Sequence, residues 1–147
     1  MNIACISTFT QDLKELLKKP KDRYQNCLDD LLTEIESHTI DELTKLGDAL
    51  TPNIIPPDYY YRKIRIKNSQ NNQGKSSGFR LICVISPSND TVIFLKVYPK
   101  IGNLGMTDIT SSEKIRLVND MVRENGRHHI FNKETRTFEL PIVGESL

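Results

Sequence analysis

The strongest constraint on this chain lies in residues 59–100, YYYRKIRIKNSQNNQGKSSGFRLICVISPSNDTVIFLKVYPK. Three apolar, β-branched runs are separated here by polar segments rich in Asn, Ser and Gly, the signature of strands joined by turns. They predict three consecutive antiparallel strands at residues 61–67, 79–85 and 92–98. In the first, Ile64 and Ile66 alternate with Tyr61, Lys63, Arg65 and Lys67, so one side meets a core and the other is basic. The second is nearly continuous apolar residues, as in a central strand covered on both sides, with Arg80 as its one charge. In the third, alternation puts Ile93, Leu95 and Val97 on the core side. Phe94, Lys96, Tyr98 and, past Pro99, Lys100 then share the opposite side.

Charge sharpens this picture. From residue 60 to 100 there are eight Lys/Arg (Arg62, Lys63, Arg65, Lys67, Lys75, Arg80, Lys96, Lys100) against one acid, Asp90. Net charge is −4 over residues 1–50, +6 over 51–100 and −1 over 101–147. The total of +1 therefore hides a cationic sheet segment, which calls for an anionic partner. The 147 residues suffice for one domain with a real core. No apolar run approaches the roughly 20 residues that span a bilayer, and the N-terminus lacks a secretory pattern, so a cytoplasmic protein is expected. Cys5, Cys27 and Cys83 sit among apolar residues and read as buried free thiols, not as a disulfide framework or a zinc site.

Around the strands the pattern is helical. Residues 2–7 read as a short strand. Thr8 or Thr10 is positioned to cap a helix carrying Phe9, Leu13, Leu16 and Leu17 on one face. After Pro20, Tyr24, Leu28, Leu31, Leu32 and Ile35 line a second helix, and Ile40, Leu43 and Leu46 a weaker third that Gly47 ends. Residues 49–58 are a proline-rich loop, and 68–78 a polar connection that reads as mobile. Thr110, Ser111 or Ser112 caps a final helix with an apolar stripe of Ile115, Val118 and Val122, stopped by Gly126. The tail alternates weakly on both sides of 132–134, as a small hairpin or an added edge strand would. The expected fold is α+β: an N-terminal strand and helical hairpin packed on a small, largely antiparallel four-stranded sheet, then a C-terminal helix and tail.

The chemistry follows from the residue types. Cations interleaved with Tyr61, Phe94 and Tyr98 suit nucleic acid, with cations on phosphates and rings on bases; the plain alternative is a solvated basic face. Arg80, inside an apolar strand, needs a structural salt bridge to a helix carboxylate or a role as a phosphate clamp. The segment GKSSG is not a P-loop: position 69 is Ser where that motif needs Gly, and a strand follows instead of a helix. His128 and His129 are adjacent and lack ligand-spaced companions, so no metal site is expected; His38 reads as a surface residue.

In this order the chain resembles the RelE/HigB-type toxins of bacterial type II toxin–antitoxin modules, within the RelE/ParE superfamily. The resemblance is carried by Lys63 and Arg65 on one strand, by Gly74-Lys75-Ser76-Ser77-Gly78-Phe79-Arg80 leading into the next, and by Tyr98-Pro99-Lys100 closing the third. It covers about residues 2–123 of a single domain, with 124–147 as a C-terminal extension. It implies a metal- and cofactor-independent endoribonuclease, an mRNA interferase cutting mRNA on the ribosome. A cognate antitoxin would bind the toxin as a hetero-oligomer and inhibit it; no membrane is involved. It further implies Lys63, Arg65, Arg80, Lys100 and Tyr98 as catalytic residues, with Tyr61, Lys67, Lys75, Phe94 and Lys96 binding RNA. The residues 101–110 hold no Tyr or His acid–base group, a role that His128 or His129 would then take. The alternative is a binding module of the same fold with little or no catalysis.

Overall fold

The computed structural model describes residues 1–52, 58–71 and 74–140. The proline-rich segment 53–57, positions 72 and 73 of the polar connection and the tail end 141–147 lie outside the described residues. Strand β1 (Asn2–Cys5) leads into α1 (Ser7–Leu17), α2 (Cys27–Glu36) and the short α3 (Ile40–Leu43). Then come β2 (Asp48–Ala49), β3 (Tyr60–Ile66), β4 (Phe79–Ser86), β5 (Thr91–Pro99), α4 (Ser111–Arg123), β6 (His129–Asn132) and β7 (Thr137–Glu139). No helix among the described residues is long and apolar enough to cross a membrane.

The α+β class fits, but a small four-stranded sheet does not. The sheet has seven strands in the order β2-β3-β4-β5-β1-β6-β7, and it is mixed because β1 runs parallel to β5. Three short strands extend it. Ala49 and Asp48 pair with Arg62 and Lys63 at one edge, and the tail hairpin β6–β7 adds to β1 at the other. The two-residue β2 carries too little periodicity to be read from sequence, whereas the tail hairpin is one of the two arrangements its weak alternation allows.

The sheet is also covered on both faces. On one, Phe9, Leu16, Leu31, Leu32 and Ile35 of α1 and α2 pack with Ile64, Ile66, Phe79, Leu81, Cys83 and Phe94. On the other, Leu117 and Met121 of α4 pack with Tyr61, Ile82, Val84, Ile93 and Leu95. Ile93 and Leu95 thus lie opposite to the expected side, and Phe94 is in the α1–α2 core. The reason is a β-bulge. Ile82 pairs with Lys96 but its neighbour Cys83 pairs with Phe94, so Leu95 is the extra residue and the alternation of β5 inverts past it. Of the expected α4 stripe only Val118 packs against the sheet: Ile115 and Val122 are exposed, and the helix is buried mainly through Leu117 and Met121.

Two long-range contacts do work that the sequence pattern assigned locally. The α1 N-terminus takes no cap from Thr8 or Thr10. Instead the Ser7 N–H and Oγ donate to the Glu124 carboxylate at the end of α4, at 3.0 and 2.9 Å. Asp12 of α1 accepts the Val97 N–H at 3.2 Å and Lys96 Nζ at 3.4 Å, just past the bulge. β1 pairs only with residues 91–94 of β5, so the remaining edge of β5 is left to α1. Burial raises the Asp12 carboxyl above the ordinary range, against the pull of Lys96 and the Val97 N–H.

If Asp12 holds the bulge, Asp12→Ala lowers unfolding stability by about 1–3 kcal/mol, the cost of an orphaned backbone donor. Asp12→Asn, which keeps an acceptor, recovers part of that loss. The urea midpoints of the three proteins decide it; equal midpoints would show that the carboxylate is dispensable.

Candidate functional site

Past α4, toward Pro99, the same sheet face becomes polar. Register puts Arg65, Arg80 and Tyr98 on one rung across β3, β4 and β5, with Lys63, Ile82 and Lys96 on the next. Arg65 is exposed, whereas Arg80 is only 6% exposed. Like charges directly opposite each other on neighbouring strands destabilise a sheet. Burial first, and the Arg65 guanidinium second, hold Arg80 below the ordinary arginine value.

The salt bridge to a helix carboxylate, one of the two arrangements expected for Arg80, is not what holds it. Arg80 makes no ion pair among the described residues. Its Nη1 donates to Lys75 O at 2.9 Å and Phe79 O at 3.2 Å, and its Nη2 to Ser76 O at 3.0 Å. The turn at Lys75–Ser77 is therefore wrapped onto the guanidinium. Gly78 closes that turn because a Cβ there would lie 2.0 Å from Ile66 O. The connection 68–71 is anchored too: Ser69 donates twice to Asp30, and Asn68 Nδ2 donates to Arg23 O.

Asp108 faces this rung from the segment between β5 and α4. Its Oδ1 lies 3.4 Å from Lys63 Nζ and 3.5 Å from the Tyr98 hydroxyl, and accepts the Ile109 N–H at 2.8 Å. Partial burial pushes the Asp108 carboxyl up, but Ile109 N–H, Lys63 and Lys114 outweigh it and the net shift is downward. Tyr98 is buried, and its hydroxyl is pushed up to about 12, first by desolvation and then by the Asp108 charge. Lys63 also approaches Asp48 at 3.9 Å. Lys100 Nζ donates to Thr107 O at 2.7 Å, and its backbone N–H to Gly78 O.

The structure thus gathers Lys63, Arg65, Arg80 and Tyr98, with Lys100 tying the two bordering loops. The expected RNA-binding set does not assemble. Tyr61 is buried under α4, with its hydroxyl donating to Lys114 O. Phe94 is fully buried in the opposite core, edge-on to Phe9. Neither can stack on a base. Lys75 pairs with Glu34 at 2.6 Å and Lys96 with Asp12; Lys67 remains exposed. The histidines lie elsewhere. His128 bonds Met121 O beside Ser86 and Thr91, six residues along β4 from Arg80, or about 20 Å. His129 pairs with Cys5.

Asp108 is the residue that sequence reasoning passed over. It is the sole acid among residues 101–110 and sits two positions before the α4 cap Thr110, a legible signal once the loop is known to fold over the sheet. No family model matches this chain, and no curated protein or solved structure does.

The two arginines separate in their expected effects. Arg80→Ala removes the staple of the turn and costs about 1–3 kcal/mol. Arg65→Ala relieves the repulsion and leaves stability unchanged or raised by up to about 1 kcal/mol. Thermal and urea unfolding of both variants measure this; a comparable loss for Arg65→Ala would mean that Arg65 is structural.

Proposed function

We propose that the chain is an endoribonuclease of the toxin–antitoxin type, acting in the cytoplasm on mRNA, with the ribosome and a cognate antitoxin as partners. The observation that carries this reading is the rung of two facing arginines, one of them buried without a carboxylate partner, beside a tyrosine–aspartate pair. Such a rung is stabilised by an anion bound across it, and a phosphodiester supplies that anion.

Cleavage by the RNA's own 2′-hydroxyl fits these groups. The 2′-oxygen attacks the adjacent phosphorus and the bond to the 5′-oxygen breaks, giving a 2′,3′-cyclic phosphate and a 5′-hydroxyl. Arg65 and Arg80 meet the charge that grows on the non-bridging oxygens. Asp108 takes the 2′ proton; its three contacts above all fall on Oδ1, which leaves Oδ2 for the substrate. Tyr98, a phenol at neutral pH, donates to the departing 5′-oxygen and recovers a proton from Asp108 through their contact. Lys63 is paired with the carboxylates of Asp48 and Asp108, so its role here is to hold Asp108 and add positive charge, and the base is Asp108.

The test is cleavage of RNA by the purified chain in EDTA, together with growth on expression in bacteria. The expected result is cut RNA ending in 2′,3′-cyclic phosphate, unaffected by chelation. Arg65→Ala should slow cleavage by about a hundredfold or more. Wild type that neither cuts RNA nor slows growth, or an Arg65→Ala protein that cuts as well, overturns the reading.

The pH profile gives a second check. Asp108, lowered, stays ionised as pH falls to below the ordinary carboxylate range, and Tyr98 stays protonated until pH nears about 12. Cleavage should be flat across neutral pH, fall only in strong acid as Asp108 is protonated, and fall in strong alkali as Tyr98 ionises. A bell centred between about 6 and 8 would place a histidine in the site instead.

A further inference from the structure

Beside Tyr98, on the edge of β5 that β1 does not reach, lies a pocket of about 200 Å3. Asp12 and Glu15 of α1 form one wall, Lys96 and Tyr98 of β5 the floor, and Leu104 and Met106 the rim. The rim is placed by backbone bonds: Met106 N–H donates to Pro99 O at 2.9 Å and Gly105 N–H to Gly102 O at 3.0 Å. Asp12 is committed to Val97 and Lys96. Glu15 is not so committed. Its side chain is 46% exposed, and its bonds from Gln11 and Lys18 both fall on Oε1 and are held by exposed partners.

The pocket is therefore lined by the Lys96 ammonium, paired with Asp12 but with further N–H donors, by the Glu15 carboxylate, and by the apolar side chains of Leu104 and Met106. Guanine offers the matching edge: O6 accepts, and N1–H and the 2-amino group beside it donate. Adenine in the same position sets its 6-amino group against the Lys96 ammonium, donor against donor, and its N1 lone pair against the Glu15 carboxylate, acceptor against acceptor. Leu104 and Met106 are placed to cover the ring face.

We propose that this pocket is a guanine subsite, and that it selects the nucleotide joined to the phosphate on the Arg65–Arg80 rung. It rests on the reading above that the rung holds an RNA phosphate. Tyr98 belongs to both sites, with its hydroxyl on Asp108 and its residue lining the pocket, so a base in the pocket and a phosphate on the rung are neighbours. Glu15 and Lys96 are specificity residues in this scheme and take no part in bond cleavage.

The test is calorimetric titration of the full chain with the 3′,5′-bisphosphates of guanosine, inosine and adenosine. The guanosine compound should bind at least about tenfold tighter than the adenosine one, with inosine, which lacks the 2-amino group, between them. In Glu15→Ala, an exposed substitution, the three affinities should fall within about twofold of each other, while affinity for inorganic phosphate is unchanged. Arg65→Ala should weaken all three alike and keep their ratio. Equal binding of guanosine and adenosine compounds by wild type, or a preference that survives Glu15→Ala, overturns the subsite. A guanosine preference that Glu15→Ala abolishes, in a protein that cuts no RNA, supports the subsite and sinks the nuclease reading. Cleavage without any such preference does the reverse.

Discussion

The bulge at Leu95 is the constraint from which the arrangement of both sheet faces follows. Before it, the even-numbered residues of β5 enter the α1–α2 core, and Phe94 does so in full. After it, Val97 enters that core and Tyr98 turns to the face of Arg80. An unbulged strand that buried Phe94 would also bury Tyr98 beside it, away from the arginines. One extra residue thus satisfies two demands that a regular period-2 strand cannot meet at once. The backbone N–H displaced from regular pairing needs a partner, and Asp12 supplies it from a helix fixed at its start by Glu124. The two helices on opposite faces are therefore tied to the same irregular strand.

The carboxylates explain how so cationic a face folds at all. Three of the eight basic residues that stand out in the sequence are met by acids from distant segments: Lys63 by Asp48 and Asp108, Lys75 by Glu34, and Lys96 by Asp12, while Arg62 spends its donors on Leu46 O and Gly47 O. An exposed lysine such as Lys75 gains little stability from its pair, but together the pairs remove much of the self-repulsion. Besides Arg62, the residues Arg65, Lys67, Arg80 and Lys100 have no acid partner among the described residues, and of these Arg65 and Arg80 face each other across neighbouring strands. A cluster that looks like a broad basic patch in sequence is, in the fold, two facing guanidiniums beside three lysines already met by acids.

That difference marks what was legible. The runs at 61–67, 79–85 and 92–98 carry strong periodicity, and each corresponds to a strand; Arg80 stood out because one charge in an apolar strand demands a reason. The alternating cations of β3 likewise brought Lys63 and Arg65 to notice. The two-residue β2 and the bulge have no such signal, since each depends on pairing with a segment remote in sequence, whereas the weak alternation of the tail on both sides of 132–134 does correspond to the β6–β7 hairpin. Tyr61 and Phe94 were misplaced for related reasons. An aromatic ring alternating with cations reads as exposed, yet α4 covers one of these rings and the bulge sends the other through the sheet. Asp108 was missed because its partners come from β3 and β5, so only the closed loop reveals it. Ile115 and Val122 show the limit of helical periodicity: the stripe exists, but Leu117 and Met121 win the buried face.

Arg80 draws these strands of reasoning together, because its structural and its chemical readings are not rivals. A guanidinium has five N–H donors in a fixed plane. Three are spent on the carbonyls of Lys75, Ser76 and Phe79, using Nη1 twice and Nη2 once. The Nε proton and one Nη2 proton have no partner among the described residues and are left for an anion. The carbonyls that hold the turn also hold the guanidinium and partly offset the cost of burying the charge. A flexible lysine in this place would lose the turn and the fork together. The Gly-Lys-Ser-Ser-Gly segment is thus best understood as a mount for the arginine that follows it: its glycines let the backbone close around the guanidinium, and its carbonyls hold the group in place.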